Sequence, residues 1–222
     1  MKIHQIYLDY DGFWPDIFQE SKDSWSSIPN TEYKLWSSED IEELVKKYPD
    51  MEELYHRVQY PIQRVDLARW IIIYDQGGLY ADLDVVNKSG NVNFITYDHF
   101  ISRLKFKYEM DIFYFNEPHH YLLENLFQYL ISNYDEVTGK EIYKKWKGRY
   151  ILQSCGAYAL DRYWKRYKLN PHTIHFTKIR ANNGKYNKTI KYVHNSPVIV
   201  YTISSWNNVQ NNITNFKKSY FK

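Results

Sequence analysis

The chain has 222 residues, a formal net charge of +3, 18% aromatic residues led by 23 tyrosines, and one cysteine. This length suits one domain with a substantial core. Cys155 alone excludes an internal disulfide, interspersed acids and bases leave no stripe for nucleic acid, and no apolar run reaches the roughly 18 residues of a membrane span.

Residues 2–8 read as a first, buried strand that runs into an Asp11-Gly12 loop. That segment is interrupted by His4, Gln5 and Asp9 and lacks the apolar stretch of a signal peptide. Pro15 opens a helix through about Trp25. Residues 33–36 form a second strand, after which Ser37 or Ser38 caps a helix carrying Ile41, Leu44, Val45 and Tyr48 at helical spacing. Pro49-Asp50 ends it, and a short helix covers residues 51–57.

From Pro61, a residue suited to a first helical turn because no N–H is needed there, Ile62, Val65, Ile72 and Ile73 predict a further helix. Asp66 and Arg69 stand three apart and share a face of it. Gly77-Gly78 stops it, since glycine takes left-handed backbone cheaply. Residues 79–85 then alternate, which predicts a strand with Leu79, Ala81, Leu83 and Val85 on one side and Tyr80, Asp82 and Asp84 on the other. Two carboxylates on one side of a strand offer hard oxygen ligands to Mn²⁺ or Mg²⁺ and leave positions for phosphate oxygens. Uncompensated, such a pair of like charges is costly. The competing reading is a solvated strand end with two ordinary aspartates.

Strands and helices thus alternate over the first 85 residues, the pattern of a parallel α/β sheet. Ligands of such sheets bind beyond the carboxyl ends of the strands, so residues 7–9 and the strand carrying Asp82 are expected to meet in one crevice. Further on, residues 112–115 predict a strand, residues 121–132 a helix, and residues 154–164 a helix behind a Gln-Ser-Cys-Gly turn. Residues 178–195, rich in Asn, Lys and Gly, predict loops. Residues 198–201 predict a last strand, followed by Ser204-Ser205-Trp206 and a basic, aromatic tail.

Several of these segments resemble, in order, those of DXD-motif retaining glycosyltransferases of the Och1-like and capsular-polysaccharide type, glycosyltransferase family 32. They are residues 2–7, residues 33–36, residues 64–69 with 77–84, residues 116–120, and His194 with Ser205-Trp206. Tyr7 stands where that family usually has tryptophan. The resemblance implies a GT-A fold, a Rossmann-like mixed α/β sheet flanked by helices, as a single domain over residues 1–215. Residues 1–90 would bind nucleotide-sugar and metal, residues 91–215 the acceptor, and residues 216–222 would be a tail.

Carried over residue by residue, the resemblance makes Asp84 the direct metal ligand. Asp82 becomes a second metal and donor contact, and His194 a third metal ligand or a phosphate contact. Asp66 and Arg69 become donor-sugar contacts, Tyr80 part of the same pocket, Tyr7 a platform for the nucleobase, and Ser204 and Trp206 diphosphate contacts. Catalysis would rest on Asp82, Asp84 and Arg69. The implied reaction moves a hexose from a UDP- or GDP-linked donor to a saccharide or lipid-linked glycan acceptor with retention, using Mn²⁺ or Mg²⁺. The expected setting is polysaccharide or lipopolysaccharide synthesis in the cytoplasm, with the basic tail touching the inner face of the membrane. The alternatives are a nucleotide-sugar-binding module of the same fold without useful transfer, and a metal-dependent phosphohydrolase, which would need further clustered ligands.

Overall fold

The computed structural model describes residues 1–8, 12, 14–104, 107–141, 146–182, 185–191 and 193–202, with the side chains of 180–191 and 202 left aside. The first half follows the predicted order: β1 (Lys2–Ile6), α1 (Asp16–Ser26), β2 (Glu32–Trp36), α2 (Ser38–Val45), α3 (Pro49–Arg57), α4 (Pro61–Gln76) and β3 (Gly78–Ala81). Then come β4 (Val85–Asn87), β5 (His99–Leu104), β6 (Lys107–Phe115), a 3₁₀ turn (Tyr121–Leu123), α5 (Leu126–Thr138), α6 (Lys147–Ser154) and α7 (Ala157–Arg166). The last strands are β7 (Thr173–Ile174), β8 (Thr177–Asn182), β9 (Lys185–Lys191) and β10 (Val198–Thr202).

A six-stranded sheet in the order β2-β1-β3-β6-β5-β7 forms the centre, and a four-stranded sheet in the order β4-β10-β8-β9 stands beside it. β1 pairs in parallel with both β2 and β3, whereas β6 runs antiparallel to β3 and β5, so the main sheet is mixed. Ser37 caps α2 as expected: its Oγ accepts from Asp40 N–H at 3.2 Å, and the Asp40 carboxylate returns a bond to Ser37 N–H at 3.0 Å. α4 is buried on nearly every side from Gln63 to Ile73. Its Trp70 lies flat on Phe113 of β6, with ring centroids 4.2 Å apart.

The double glycine after α4 is required by space as well as by backbone. Gly77 and Gly78 have φ of +61° and +92°, and a Cβ would meet the Glu117 backbone at 2.7 Å or the Lys2 carbonyl at 2.6 Å. His4 of β1 is locked beside this turn. Its Nδ1 accepts from Trp36 Nε1–H at 3.1 Å and its Nε2 faces the Gly77 carbonyl at 3.0 Å. Burial drives the His4 pKa down to about 4, so the ring is neutral.

Four expectations need correction. The strand predicted to Val85 stops at Ala81: Leu83 and Asp84 form a turn closed by Val85 N–H to the Asp82 carbonyl at 3.0 Å, and Val85 opens β4 in the second sheet. The hydrophobic alternation crosses this turn because Trp25 and Ser21 anchor the Val85 carbonyl at 2.7 and 2.6 Å, burying Val85 among other residues. The expected loops over residues 178–195 contain the β8–β9 hairpin. The helix expected over 121–132 is a 3₁₀ turn followed by α5, and that expected from Ser154 starts at Ala157.

Candidate active site

α4 and β3 bring four of the predicted residues into one buried network. Arg69, 4% exposed, is its centre. Its Nη2 pairs with Asp66 Oδ1 at 3.1 Å, its Nη1 donates to the Met110 carbonyl at 2.7 Å and stands 3.4 Å from Asp82, and its guanidinium lies 5.2 Å from the centre of the Tyr80 ring. Tyr80 in turn donates its hydroxyl to Asp82 Oδ1 at 2.7 Å. The helical spacing of Asp66 and Arg69 puts both charges against the strand end that carries Asp82. The main chain fixes that strand end: Asp82 N–H donates to the Asp111 carbonyl at 2.8 Å, and Gln5 Nε2 donates to the Asp82 carbonyl at 3.2 Å.

Burial raises both carboxylates' affinity for protons. Asp66 is pushed up to about 7 by burial, against the pull of Arg69 and with help from Asp82. Asp82 is pushed up to about 6, again by burial first, opposed by Arg69 and reinforced by Asp111.

Two further groups of this cluster were missed by sequence reasoning. Glu109 and Asp111, on β6, share Lys178 of β8, whose Nζ donates at 3.2 and 2.6 Å respectively. Among the described residues, the four carboxylates Asp66, Asp82, Glu109 and Asp111 thus face two cations, Arg69 and Lys178. Asp82 at the strand end and Asp84 on the following turn offer hard oxygen donors that fit a divalent cation of the Mg²⁺ or Mn²⁺ type. Asp84, half-buried, sits on the turn beside this cluster, its carbonyl accepting from Tyr201 N–H at 2.7 Å.

Tyr7 also reaches the turn. It packs with Trp14, Phe18, Leu83 and Tyr201 in a small apolar cluster and meets Trp14 edge-on at 4.8 Å. Trp14, half-buried and aromatic, is a base-platform candidate that no sequence motif marks. His194 lies on the turn before β10; Val193 beside it bonds Thr177 through both its N–H and its carbonyl, and Tyr201 of β10 meets Asp84. Ser204 and Trp206 lie outside the described residues.

A second group of ligand-type atoms lies at the other end of the main sheet. Asp98, His99 and His120 hold theirs within 4.8 Å of one another. His99 pairs with Phe115, which pairs with Gly78 at the start of β3, whereas Asp82 follows its end. Each imidazole uses its other nitrogen to accept a backbone N–H: His99 Nε2 from His172 at 3.2 Å and His120 Nδ1 from Leu122 at 3.3 Å. His99 Nδ1 stands 2.9 Å and His120 Nε2 4.0 Å from the two Asp98 oxygens, so one imidazole is in close contact with the carboxylate and the three together are a second candidate metal group.

Residues 15–100 match the family model described as glycosyltransferase sugar-binding region containing DXD motif. That span includes Asp66, Arg69, Tyr80, Asp82 and Asp84. Over these residues the chain is similar to the DXD glycosyltransferases. Inositol phosphoceramide mannosyltransferase 3 of Schizosaccharomyces pombe is 41% identical over 97 residues, covering 37% of this chain and 27% of that protein. Inositol phosphoceramide mannosyltransferase 1 of the same yeast is 25% identical over 175 residues, covering 77% of this chain and 52% of that protein. The chain thus spans about a quarter to a half of the length of these curated relatives. Among solved structures, the PaToxG glycosyltransferase superposes with a TM-score of 0.56 at 13% identity, covering 75% of this chain and 68% of that one. This likeness shows the fold alone, a GT-A-type mixed α/β sheet flanked by helices.

Proposed function

We propose that this chain is a metal-dependent glycosyltransferase that moves a hexose from a UDP- or GDP-linked donor to a saccharide or lipid-linked acceptor, with retention at the anomeric carbon. The observation that carries this reading is the buried Asp66–Arg69–Tyr80 network bonded to the half-buried Asp82, the first carboxylate of the DXD turn. A buried guanidinium with a fork of donors suits sugar and phosphate oxygens, and the aromatic pair of Tyr7 and Trp14 beside Leu83 suits a nucleobase. Residues 1–90 supply the donor half in this reading, and residues 91–215 the acceptor half. Because the curated relatives are named mannosyltransferases, mannose is the first sugar to test.

Asp84 and Asp82 would hold Mn²⁺ or Mg²⁺, whose charge neutralises the diphosphate as it leaves. Arg69 orients the donor sugar while Asp66 holds the guanidinium in place. Asp82, fixed by Tyr80 and Gln5, keeps its carboxylate toward the donor. As the C1–O bond to the phosphate breaks, the acceptor hydroxyl adds from the same face and its proton passes to the departing phosphate oxygen, which requires no protein acid. Ser204 and Trp206 are diphosphate contacts in this reading. The tail over 216–222 is a peripheral contact with an anionic membrane surface at the cytoplasmic face. Among the described residues no helix is long and apolar enough to cross a membrane.

The test is a thermal-shift panel of UDP- and GDP-sugars with and without Mn²⁺, with donor hydrolysis followed in parallel. A Mn²⁺-dependent rise with one donor, lost in Asp84→Asn while the variant stays folded, is the expected result. Undiminished turnover in folded Asp84→Asn would sink the assignment. A metal-dependent shift without turnover would favour the binding-module reading.

A further inference from the structure

Glu109 and Asp111 are i, i+2 on β6, yet the inside–outside alternation of that strand slips just after them: Tyr108 and Met110 are buried, then Ile112 and Phe113 in succession. The slip lies opposite a register shift in β5 between Ile101 and Arg103. It turns both carboxylates toward the second sheet, where the 8% exposed Lys178 bonds to one oxygen of each. Among the described residues, Oε1 of Glu109 and Oδ1 of Asp111 have no protein partner, and both side chains remain 22–23% exposed. A buried ammonium thus fixes two acceptor groups in place and leaves one oxygen of each outward.

Their position gives these oxygens a use. Along the rim of the main sheet β1, β3 and β6 are successive neighbours. Tyr7 follows β1 and Asp82 follows β3. Asp111 abuts Asp82, and Glu109 lies on the part of β6 that runs past the end of β3. A donor laid with its base at Tyr7 and its diphosphate at the DXD turn points its sugar toward β6. We propose that Glu109 and Asp111, braced by Lys178, form the acceptor subsite and accept hydrogen bonds from the hydroxyls of a neutral polyol or sugar ring; this rests on the transferase reading above. The triad of Glu109, Asp111 and Lys178 carries one net negative charge, so an acceptor with a carboxylate or phosphate at this end is repelled.

The experiment uses the whole chain with Mn²⁺ and whichever of GDP-mannose, UDP-glucose and UDP-galactose gives the largest thermal shift. Methyl α-mannopyranoside is compared with methyl glucuronide as acceptor. The neutral glycoside is expected to be the better acceptor. Glu109→Gln should raise its KM by about tenfold while kcat falls less than about threefold, since one charged acceptor becomes a neutral one. Lys178→Met should raise KM likewise and Lys178→Arg should restore it. Asp111→Asn carries the same test should Glu109→Gln fail to fold. Equal use of the glucuronide, or a loss of kcat with KM unmoved, would overturn the acceptor role. Absence of any donor-induced shift in the unmodified chain would instead strike the transferase reading, and the subsite with it.

Discussion

Arg69→Met keeps most of the side-chain volume and removes the one cation that Asp66 and Asp82 share. It leaves the Met110 carbonyl without the donor now at 2.7 Å and Asp66 without the partner now at 3.1 Å. Removing one member of a buried ion pair costs about 3–5 kcal/mol, and the orphaned carbonyl adds about 1 kcal/mol. In a chain of this size each kcal/mol lowers Tm by about 2–4 °C, so a fall of about 10–20 °C is expected. Urea denaturation at pH 8 is the suitable assay, because Asp66, pushed up to about 7, is ionised there. Asp66→Asn in the same background should recover about 1–3 kcal/mol as a coupling energy. A loss below about 1 kcal/mol, or strict additivity of the two substitutions, would refute the claim that Arg69 holds the site together electrostatically.

Other consequences can be measured independently. Gly78→Ala places a Cβ 2.6 Å from the Lys2 carbonyl at φ +92°. It should destabilise by about 2 kcal/mol or more in urea melts, and an unchanged midpoint would mean that β1 and β3 slide apart freely. His4, neutral with a folded pKa of about 4 against an unfolded 6.5, gives stability that is complete above about pH 6.5 and is lost as pH falls toward 4. Between pH 7 and pH 5 this amounts to about 2 kcal/mol, and His4→Gln should flatten that slope; parallel slopes for the two proteins would refute it. Arg69→Lys should retain the charge and still lose most donor binding in the thermal-shift panel, because a fork of donors becomes a single point.

The parts of the fold that were legible are those set by local rules. Ser37, Pro61 and Gly77-Gly78 punctuate α2 and α4 through capping and backbone preference, which act over a few residues. The i, i+3 spacing of Asp66 and Arg69 places them on one face of the helix, and the structure pairs them at 3.1 Å. Residues 79–85 show where periodicity misleads. Alternation reports burial, and Val85 is buried in a different sheet from Ala81, so one pattern spans two elements with a turn between them.

The remainder of the site depended on long-range meeting. Tyr108-Glu109-Met110-Asp111 alternates buried and half-exposed, a strand signal present in the sequence, but nothing local gives those carboxylates a partner. Their partner lies 67 residues beyond Asp111, on a strand whose polar composition reads as loop because its apolar support comes from β10 and the main sheet. Lys178 enters the cluster because β8 pairs in parallel with β10 and sets it beside Val200, next to the strand end that meets Asp84 at Tyr201. A polar residue thus joins a site through the register of its strand, which no local pattern in the sequence reports.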